Sequence, residues 1–225
     1  MKIAIIQFPG SNCDRDAYYA LAGIFNQPTR LFWHKRGSLS GAEAVVIPGG
    51  FSYGDYLRTG AIARFSPVMP AVVEFANNGG PVIGICNGFQ ILCEAGLLPG
   101  ALVRNEGLEF ICDTTTLDVV DSMDYFNQQS LGETLDIPIA HGEGNYRIDN
   151  EGLAELQANN QILFRYRNNP NGSVDDIAGI RNIDGNVFGM MPHPERAVEE
   201  IHPSRDGIGI IKAFLKSQMA RQQKA

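Results

Sequence analysis

Residues 81–90, PVIGICNGFQ, place a cysteine where an apolar, β-branched run stops and polar residues begin. Gly84 and Gly88 lie two positions on either side of Cys86, the spacing of a nucleophile elbow, which is a sharp strand-to-helix turn. A helix that starts there directs free N–H groups at the sulfur and favours the thiolate. The N–H of Asn87 can also stabilise an oxyanion. The stretch predicts a reactive thiol, with a buried structural cysteine as the alternative.

A thiolate nucleophile needs a base, and the base needs a group that orients it. His193 and Glu195 in PHPER follow VFGMM, a predicted buried strand, and are separated by Pro194. Proline keeps this tripeptide extended, and extended backbone places residues two apart on the same side. We therefore predict a triad in which Cys86 is the nucleophile, His193 the base and Glu195 the orienting carboxylate.

A second His/Glu pair, His141 and Glu143 in HGEGNY, is an alternative source of the base. Its glycines, Gly142 among them, indicate close approach of the backbone to a ligand. We expect this stretch to line the site rather than to supply the base.

The other cysteines, Cys13, Cys93 and Cys112, are predicted to be structural, with Cys93 in the core. None of the four cysteines forms a CxxC pair, so neither a metal site nor a redox dithiol is expected. His34, beside two basic residues, and His202, in a polar loop, are predicted to lie at the surface.

The composition of the chain is that of an ordinary globular protein. The chain has 225 residues, of which 44% are hydrophobic and 19% charged, and we predict a single domain over residues 1–225. A net charge of −7 argues against nucleic acid or a membrane surface as a partner. MKIAIIQF is too short for a signal-peptide core and no stretch is long enough to span a membrane, so we expect a reduced, cytoplasmic protein.

The elements that must position these residues alternate between strand and helix in the first hundred residues. Strands are predicted at 2–8, 29–33, 44–48 and 81–85, and helices after an N-cap at Ser11 or Asn12, at 68–76 and at 89–95. The second half predicts strands at 109–120, 136–140, 162–166, 177–183 and 187–191 and a closing helix at 208–219. The fold class is therefore α/β: a flavodoxin-like, mostly parallel sheet flanked by helices, with a mixed or antiparallel extension. Its site belongs at the carboxyl ends of the parallel strands.

GICNGFQ together with PHPE resembles the class I, triad-type glutamine amidotransferases. The blocks FPGSNCDRD, PGGFSYGDYLRTGAIA, IAHGEGNY and MPHPERA are similar, more narrowly, to the glutaminase subunits of phosphoribosylformylglycinamidine synthase, in purine biosynthesis. The resemblance covers nearly the whole chain, with residues 113–135 matching least well.

The resemblance implies that Cys86 attacks the side-chain amide of L-glutamine, that a thioester forms and that ammonia leaves. It implies an oxyanion hole from the N–H groups of Asn87 and Gly50, and substrate contacts from Gln90 and from the loop that contains His141, Gly142 and Glu143. His193 would move the protons and Glu195 would orient it.

The resemblance also implies partners. Ammonia would pass to a separate synthetase subunit, which uses ATP and Mg²⁺ to convert formylglycinamide ribonucleotide to formylglycinamidine ribonucleotide, and a small third subunit would bridge the two. This chain contains no GxxxxGK[ST] loop, so we expect it to bind no cofactor itself.

Two rival functions remain open. One is a Cys–His hydrolase or stress protein of the same α/β superfamily without glutamine specificity. The other is a non-enzymatic binding module in which GGFSYGD presents N–H groups to a phosphate.

Overall fold

A nine-stranded mixed sheet organises the part of the chain that the computed structural model describes, residues 2–39, 41–120 and 126–222. Its strand order is β2-β1-β3-β4-β11-β10-β9-β6-β7, and β5 pairs with β8 in a separate two-stranded sheet. Five strands, from β2 to β11 in this order, run parallel, and the remaining pairs are antiparallel. The predicted fold class is confirmed. The prediction of one domain over residues 1–225 includes residues outside the described ranges and stays a prediction.

The parallel half follows the predicted alternation closely. Its strands are β1 (Ile3–Gln7), β2 (Thr29–Trp33), β3 (Ala44–Ile47), β4 (Val82–Ile85) and β11 (Val187–Met190), and its helices are α1 (Asp14–Tyr18), α2 (Met69–Asn77) and α3 (Asn87–Glu94). β1, β3, β4 and β11 are almost wholly buried because layers cover both faces of the sheet, which is why their sequences are apolar without alternation.

The antiparallel half contains β6 (Ile111–Val119), β7 (Thr134–His141), β9 (Ile162–Tyr166) and β10 (Ile177–Arg181). The outer strands β6 and β7 alternate buried and more exposed residues over most of their length, as expected for strands that face the core on one side, whereas β9 and β10 are almost wholly buried. Helix α4 (Gln128–Leu131) precedes β7, and the closing helix α6 (Gly207–Gln222) lies against α4 and the turn at Pro194–Arg196. Part of the poorly matched stretch 113–135 thus belongs to the β6–β7 pair, and residues 121–125 lie outside the described residues.

Several elements differ from the sequence predictions. The first helix begins at Asp14 with Cys13 as its N-cap residue, rather than after a cap at Ser11 or Asn12, and continues as a π-helix over Tyr19–Ile24. The structure adds β5 (Ala101–Val103), β8 (Asn145–Arg147) and α5 (Asn150–Ala158). The two strands are only three residues long, too short for a hydrophobic period. No helix among the described residues is long and apolar enough to cross a membrane.

Close contact between the backbones of α3 and β3 explains why residue 88, the second residue of α3, is a glycine. A methyl group at this position would lie 1.9 Å from the carbonyl oxygen of Ile47 in β3. Helix α3 can therefore approach the sheet only because position 88 has no side chain.

We predict that Gly88→Ala lowers the free energy of unfolding by about 3 kcal/mol or more, because the backbone of either α3 or β3 must move. Urea denaturation followed by circular dichroism measures this change. Gly107→Ala is the matched control, since nothing lies within 4 Å of the added methyl group, and we expect a change within about 0.5 kcal/mol. Equal stability of the two variants would contradict the close packing of α3 on β3.

Candidate active site

Cys86 occupies the sharp turn between β4 and α3. Its backbone lies at φ 51° and ψ −105°, outside the regions that most residues adopt, and its N–H donates to the carbonyl oxygen of Met190 at 2.7 Å. The sulfur lies 3.7 Å from the carbonyl oxygen of Ala140 in β7. The side chain is buried yet lines a cavity of about 360 Å³. This is the predicted elbow, with a thiol at the floor of a pocket.

His193 and Glu195 follow β11, the strand that pairs in parallel with β4. Their side chains are joined by a hydrogen bond of 2.7 Å between Nδ1 of the imidazole and Oε1 of the carboxylate. Both are almost fully buried, at 1% and 4% exposure. The backbone N–H of His193 donates to the carbonyl oxygen of Pro138 in β7, which fixes the turn from a third strand.

The surroundings of His193 favour its protonated form. Burial by itself lowers the pKa of the imidazole, but the Glu195 carboxylate and the nearby thiols of Cys86 and Cys13 outweigh it and raise the pKa well above its ordinary value. Nε2 has no hydrogen-bond partner among the described residues. The structure therefore places near Cys86 a buried imidazole of high proton affinity, whose Nε2 forms no hydrogen bond with the described residues.

Asn87 and Gly50 lie on two segments that meet beside the sulfur. The side chain of Asn87 accepts from the N–H of Ser52 at 3.1 Å, which ties the loop after β3 to the start of α3. Gly50 has φ +147°, and a methyl group there would lie 2.8 Å from the Cα of Ser11. The N–H of the next residue, Phe51, is already used, since it donates to the carbonyl oxygen of Gly10 at 3.0 Å.

Both the oxygen and the nitrogen of the Gln90 side-chain amide form hydrogen bonds within the chain. Its Oε1 accepts from Nδ2 of Asn87 at 3.0 Å, and its Nε2 donates to the carbonyl oxygen of Glu143 at 2.6 Å. It lines the cavity, so the predicted contact with substrate stays a prediction. The structure adds that Gln90 connects the elbow helix to the loop after β7.

His141 and Glu143 do not form a pair. The His141 imidazole bonds through Nε2 to Nδ2 of Asn171 at 3.1 Å, and burial lowers its pKa to about 4. The Glu143 carboxylate accepts instead from the backbone N–H and hydroxyl of Thr59. His141, Gly142 and Glu143 all line the cavity, but a neutral imidazole without a carboxylate partner is a poor base.

Several cavity residues were not identified from the sequence, among them the polar residues Asp55, Thr59, Arg104 and Glu109. Burial and the neighbouring Glu143 raise the pKa of Asp55 to about 6, and its Oδ1 has no hydrogen-bond partner among the described residues. Arg104 lies 3.9 Å from Oε1 of Glu143. Asp55 and Thr59 belong to the GGFSYGDYLRT block that follows β3, and this block is the sequence feature from which their place in the site could have been predicted.

One histidine differs from its sequence prediction. His34 is buried rather than at the surface, and its Nδ1 bonds to the hydroxyl of Tyr53 at 2.8 Å. Of the cysteines predicted to be structural, Cys112 is exposed, and Cys13 is buried beside the His193–Glu195 pair.

Comparison with known proteins identifies the family to which the chain belongs. The family model of the CobB/CobQ-like glutamine amidotransferase domain matches residues 1–208. The chain is a glutamine amidotransferase of this family. The amidotransferase is 59% identical over 217 residues to the phosphoribosylformylglycinamidine synthase subunit PurQ of Synechococcus elongatus, covering 96% of this chain and 98% of the relative. It is 54% identical over 218 residues to the same subunit of Prochlorococcus marinus, covering 96% and 100%.

Solved structures agree with this assignment. The amidotransferase matches a chain in the structure of PurLQS from Thermotoga maritima with a TM-score of 0.86 and 42% identity, covering 96% of this chain and 98% of that one. It also matches a Thermotoga maritima protein described as a glutamine amidotransferase, with a TM-score of 0.60 over 98% and 85% of the chains. At 16% identity, that second match shows the fold alone.

We predict that Glu195→Gln lowers the pKa of the amidotransferase's His193. Loss of the carboxylate removes the largest influence that raises this pKa and leaves burial, which lowers it. Nuclear magnetic resonance of the labelled imidazole across a pH titration measures the change. Glu151→Gln, which removes an exposed carboxylate in α5, should leave His193 unchanged, and an unchanged pKa in Glu195→Gln would contradict the assigned pairing.

Proposed function

We propose that Cys86, His193 and Glu195 hydrolyse the side-chain amide of L-glutamine. The chain is the glutaminase subunit of phosphoribosylformylglycinamidine synthase, as its relatives at 54–59% identity over nearly their full length are named. The observation that carries the residue roles is the buried His193–Glu195 pair beside a thiol that is turned into a cavity.

The proposed reaction proceeds through two half-reactions. His193 takes the thiol proton, and the thiolate attacks the amide carbon. The proton passes to the leaving nitrogen, the C–N bond breaks, and a γ-glutamyl thioester and ammonia result. His193 then takes a proton from water, the hydroxide attacks the thioester, and glutamate and the free thiol form. Glu195 keeps the ring oriented and stabilises its positive charge in both halves.

The tetrahedral intermediates need donors for their oxyanion, and the N–H groups of Asn87 and Gly50 are proposed for this role. Asn87 begins α3, so its N–H is not needed within the helix. Gly50 is held against the turn after β1 through the antiparallel bridge to Ser11. The two donors follow the neighbouring strands β3 and β4.

The charged head of glutamine is proposed to bind at Asp55, Glu143 and Arg104. Glu143 lies close enough to Asp55 to add to the effect of burial in raising the pKa of Asp55. The cavity therefore contains negative charge that its positive groups do not fully balance. An α-ammonium group supplies this compensation, and the Arg104 guanidinium is available to the α-carboxylate. His141, Gly142 and Gln90 complete the wall.

The proposed partner for ammonia is a synthetase subunit that uses ATP and Mg²⁺, with a small third subunit, because the solved neighbour is described as PurLQS. Large apolar side chains lie exposed at or near the cavity mouth: Phe51, Tyr56, Leu57, Leu108 and Phe110. Exposed apolar patches mark interaction surfaces, so we place the synthetase contact there. We also propose a cytoplasmic location, where a catalytic thiol stays reduced.

We expect a chloroketone or diazoketone analogue of glutamine to alkylate Cys86 and to leave Cys93 unmodified, since burial raises the pKa of Cys93 far above its usual range. Peptide mapping by mass spectrometry locates the adduct, and excess glutamine should block it. The measurement is made on the chain alone and with its synthetase. Failure to label Cys86 in both preparations would overturn the proposed chemistry.

Asp55→Asn should raise the KM for glutamine about tenfold while changing kcat less, because it removes a charge that pairs with the substrate in both ground and transition states. In the parent protein, KM should rise as the pH falls through about 6, where Asp55 gains its proton. The variant should lose this dependence. Kinetics between pH 5 and 8 measure both effects, and a parallel pH profile in parent and variant would exclude Asp55 from substrate binding.

A further inference from the structure

Asn105 joins two segments of the chain that line the cavity. Its side chain is fully buried, at 0% exposure. Nδ2 donates to the carbonyl oxygens of His141 and Glu109, at 2.9 Å each. Oδ1 accepts from the backbone N–H of Gly144 at 2.9 Å, and the backbone N–H of Asn105 donates to the carbonyl oxygen of Gly142 at 2.9 Å. One residue therefore ties the loop after β7 to the turn that follows β5.

The partners of the Asn105 side chain permit only one orientation of its amide. The N–H of Gly144 needs an acceptor and must face Oδ1, whereas the two carbonyl oxygens need donors and must face Nδ2. Each hydrogen of Nδ2 then has its own acceptor. An ionised carboxylate of the same shape would keep the acceptor for Gly144 but would offer no donor. Position 105 therefore distinguishes asparagine from aspartate.

The loop over residues 141–144 is the part of the cavity wall that these hydrogen bonds hold. Its other two carbonyl oxygens are also bonded. That of Glu143 accepts from Nε2 of Gln90 at 2.6 Å, and that of Gly144 accepts from Nδ2 of Asn171 at 2.9 Å. Together with the bonds to Asn105, every carbonyl oxygen of the loop accepts a hydrogen bond. The position from which the Glu143 carboxylate enters the cavity is set by this backbone.

We propose that Asn105 is a positioning residue for the binding of glutamine. It acts through Glu143, which it holds where the proposed function places the α-ammonium group of the substrate, so this inference rests on that function. Because its side chain is fully buried, Asn105 influences glutamine only through the residues that it holds. Loss of Nδ2 leaves the buried carbonyl oxygen of His141 without a donor, and the loop must move to find another.

Asn186 is a matched control at the other end of the sheet. It is 1% exposed, and its Nδ2 donates to the carbonyl oxygens of Ala76 and Gly80 at 2.7 and 2.9 Å. Its Oδ1 accepts from Nδ2 of Asn182 at 2.9 Å. Asn186 immediately precedes β11, whereas the triad follows this strand. A change of Asn186 to aspartate therefore removes the same kind of donor pair far from the cavity.

Kinetics of the complex with the synthetase test the inference. Asn105→Asp should raise the KM for glutamine about 10- to 100-fold with a smaller change in kcat, since Glu143 is proposed to contact a part of the substrate that does not react. Asn186→Asp should leave KM close to that of the parent. In a Glu143→Gln background, Asn105→Asp should change KM much less, because the group through which it acts is gone. Equal effects of the two aspartate variants, or an undiminished effect in the Glu143→Gln background, would overturn the inference.

Hydrogen exchange tests the same contacts without glutamine, so failure of the positioning role is distinguishable from failure of the proposed function. The N–H of Gly144 should exchange slowly in the parent, measured by nuclear magnetic resonance, and at least about tenfold faster in Asn105→Ala, which removes its acceptor. Asn186→Ala should leave this rate unchanged. Circular dichroism first shows that each variant is folded, and the parent measurement needs no variant. Rapid exchange of Gly144 in the parent, or equal rates in parent and Asn105→Ala, would contradict the role of Asn105. Absence of glutaminase activity from the parent complex would instead overturn the proposed function.

Discussion

The backbone of Cys86 is the constraint on which the site depends. A residue with a side chain at φ 51° and ψ −105° costs about 1–3 kcal/mol, which the surrounding structure must supply. The Cys86 N–H is fixed by Met190 in β11, and α3 packs so closely on β3 that Gly88 has no room for a methyl group. The sheet therefore holds the strained turn from both sides. As a result, the Cys86 side chain lines a cavity.

The sheet topology then determines what surrounds the sulfur. Because β4 and β11 are parallel neighbours, the turns that follow them meet at one edge, and His193 and Glu195 reach Cys86 without any long excursion of the chain. The antiparallel extension supplies the opposite wall. Strand β7 brings the carbonyl oxygen of Ala140 to the sulfur and that of Pro138 to the N–H of His193. Thus the antiparallel extension, although outside the parallel strands, helps to fix the position of His193 beside Cys86.

Local spacing revealed the elbow and the His-Pro-Glu turn because their geometry is set by residues two apart, and continuous apolar runs revealed the parallel strands. The same reasoning missed Asp55 and placed His34 wrongly. Asp55 is one acidic residue in a polar loop, and its pKa is raised first by burial in the fold and then by Glu143, 88 positions later. His34 follows an edge strand beside Lys35, yet it is buried under Tyr53. Such positions depend on tertiary contacts, which a single sequence does not encode locally.

Charge balance explains how the site can depend on both its substrate and its partner. Around the triad, opposite charges are matched at short range: His193 with Glu195, and Arg196 with Asp16. At the cavity mouth they are not, since Asp55 retains an oxygen without a partner among the described residues and repels Glu143. In the proposed substrate complex the positive group of glutamine corrects this imbalance, and in the proposed complex with the synthetase the exposed Leu57 and Leu108 are covered. The proposed triad thus lies beneath an entrance that the proposed roles complete with two further molecules, the arrangement expected of a subunit whose ammonia is used elsewhere.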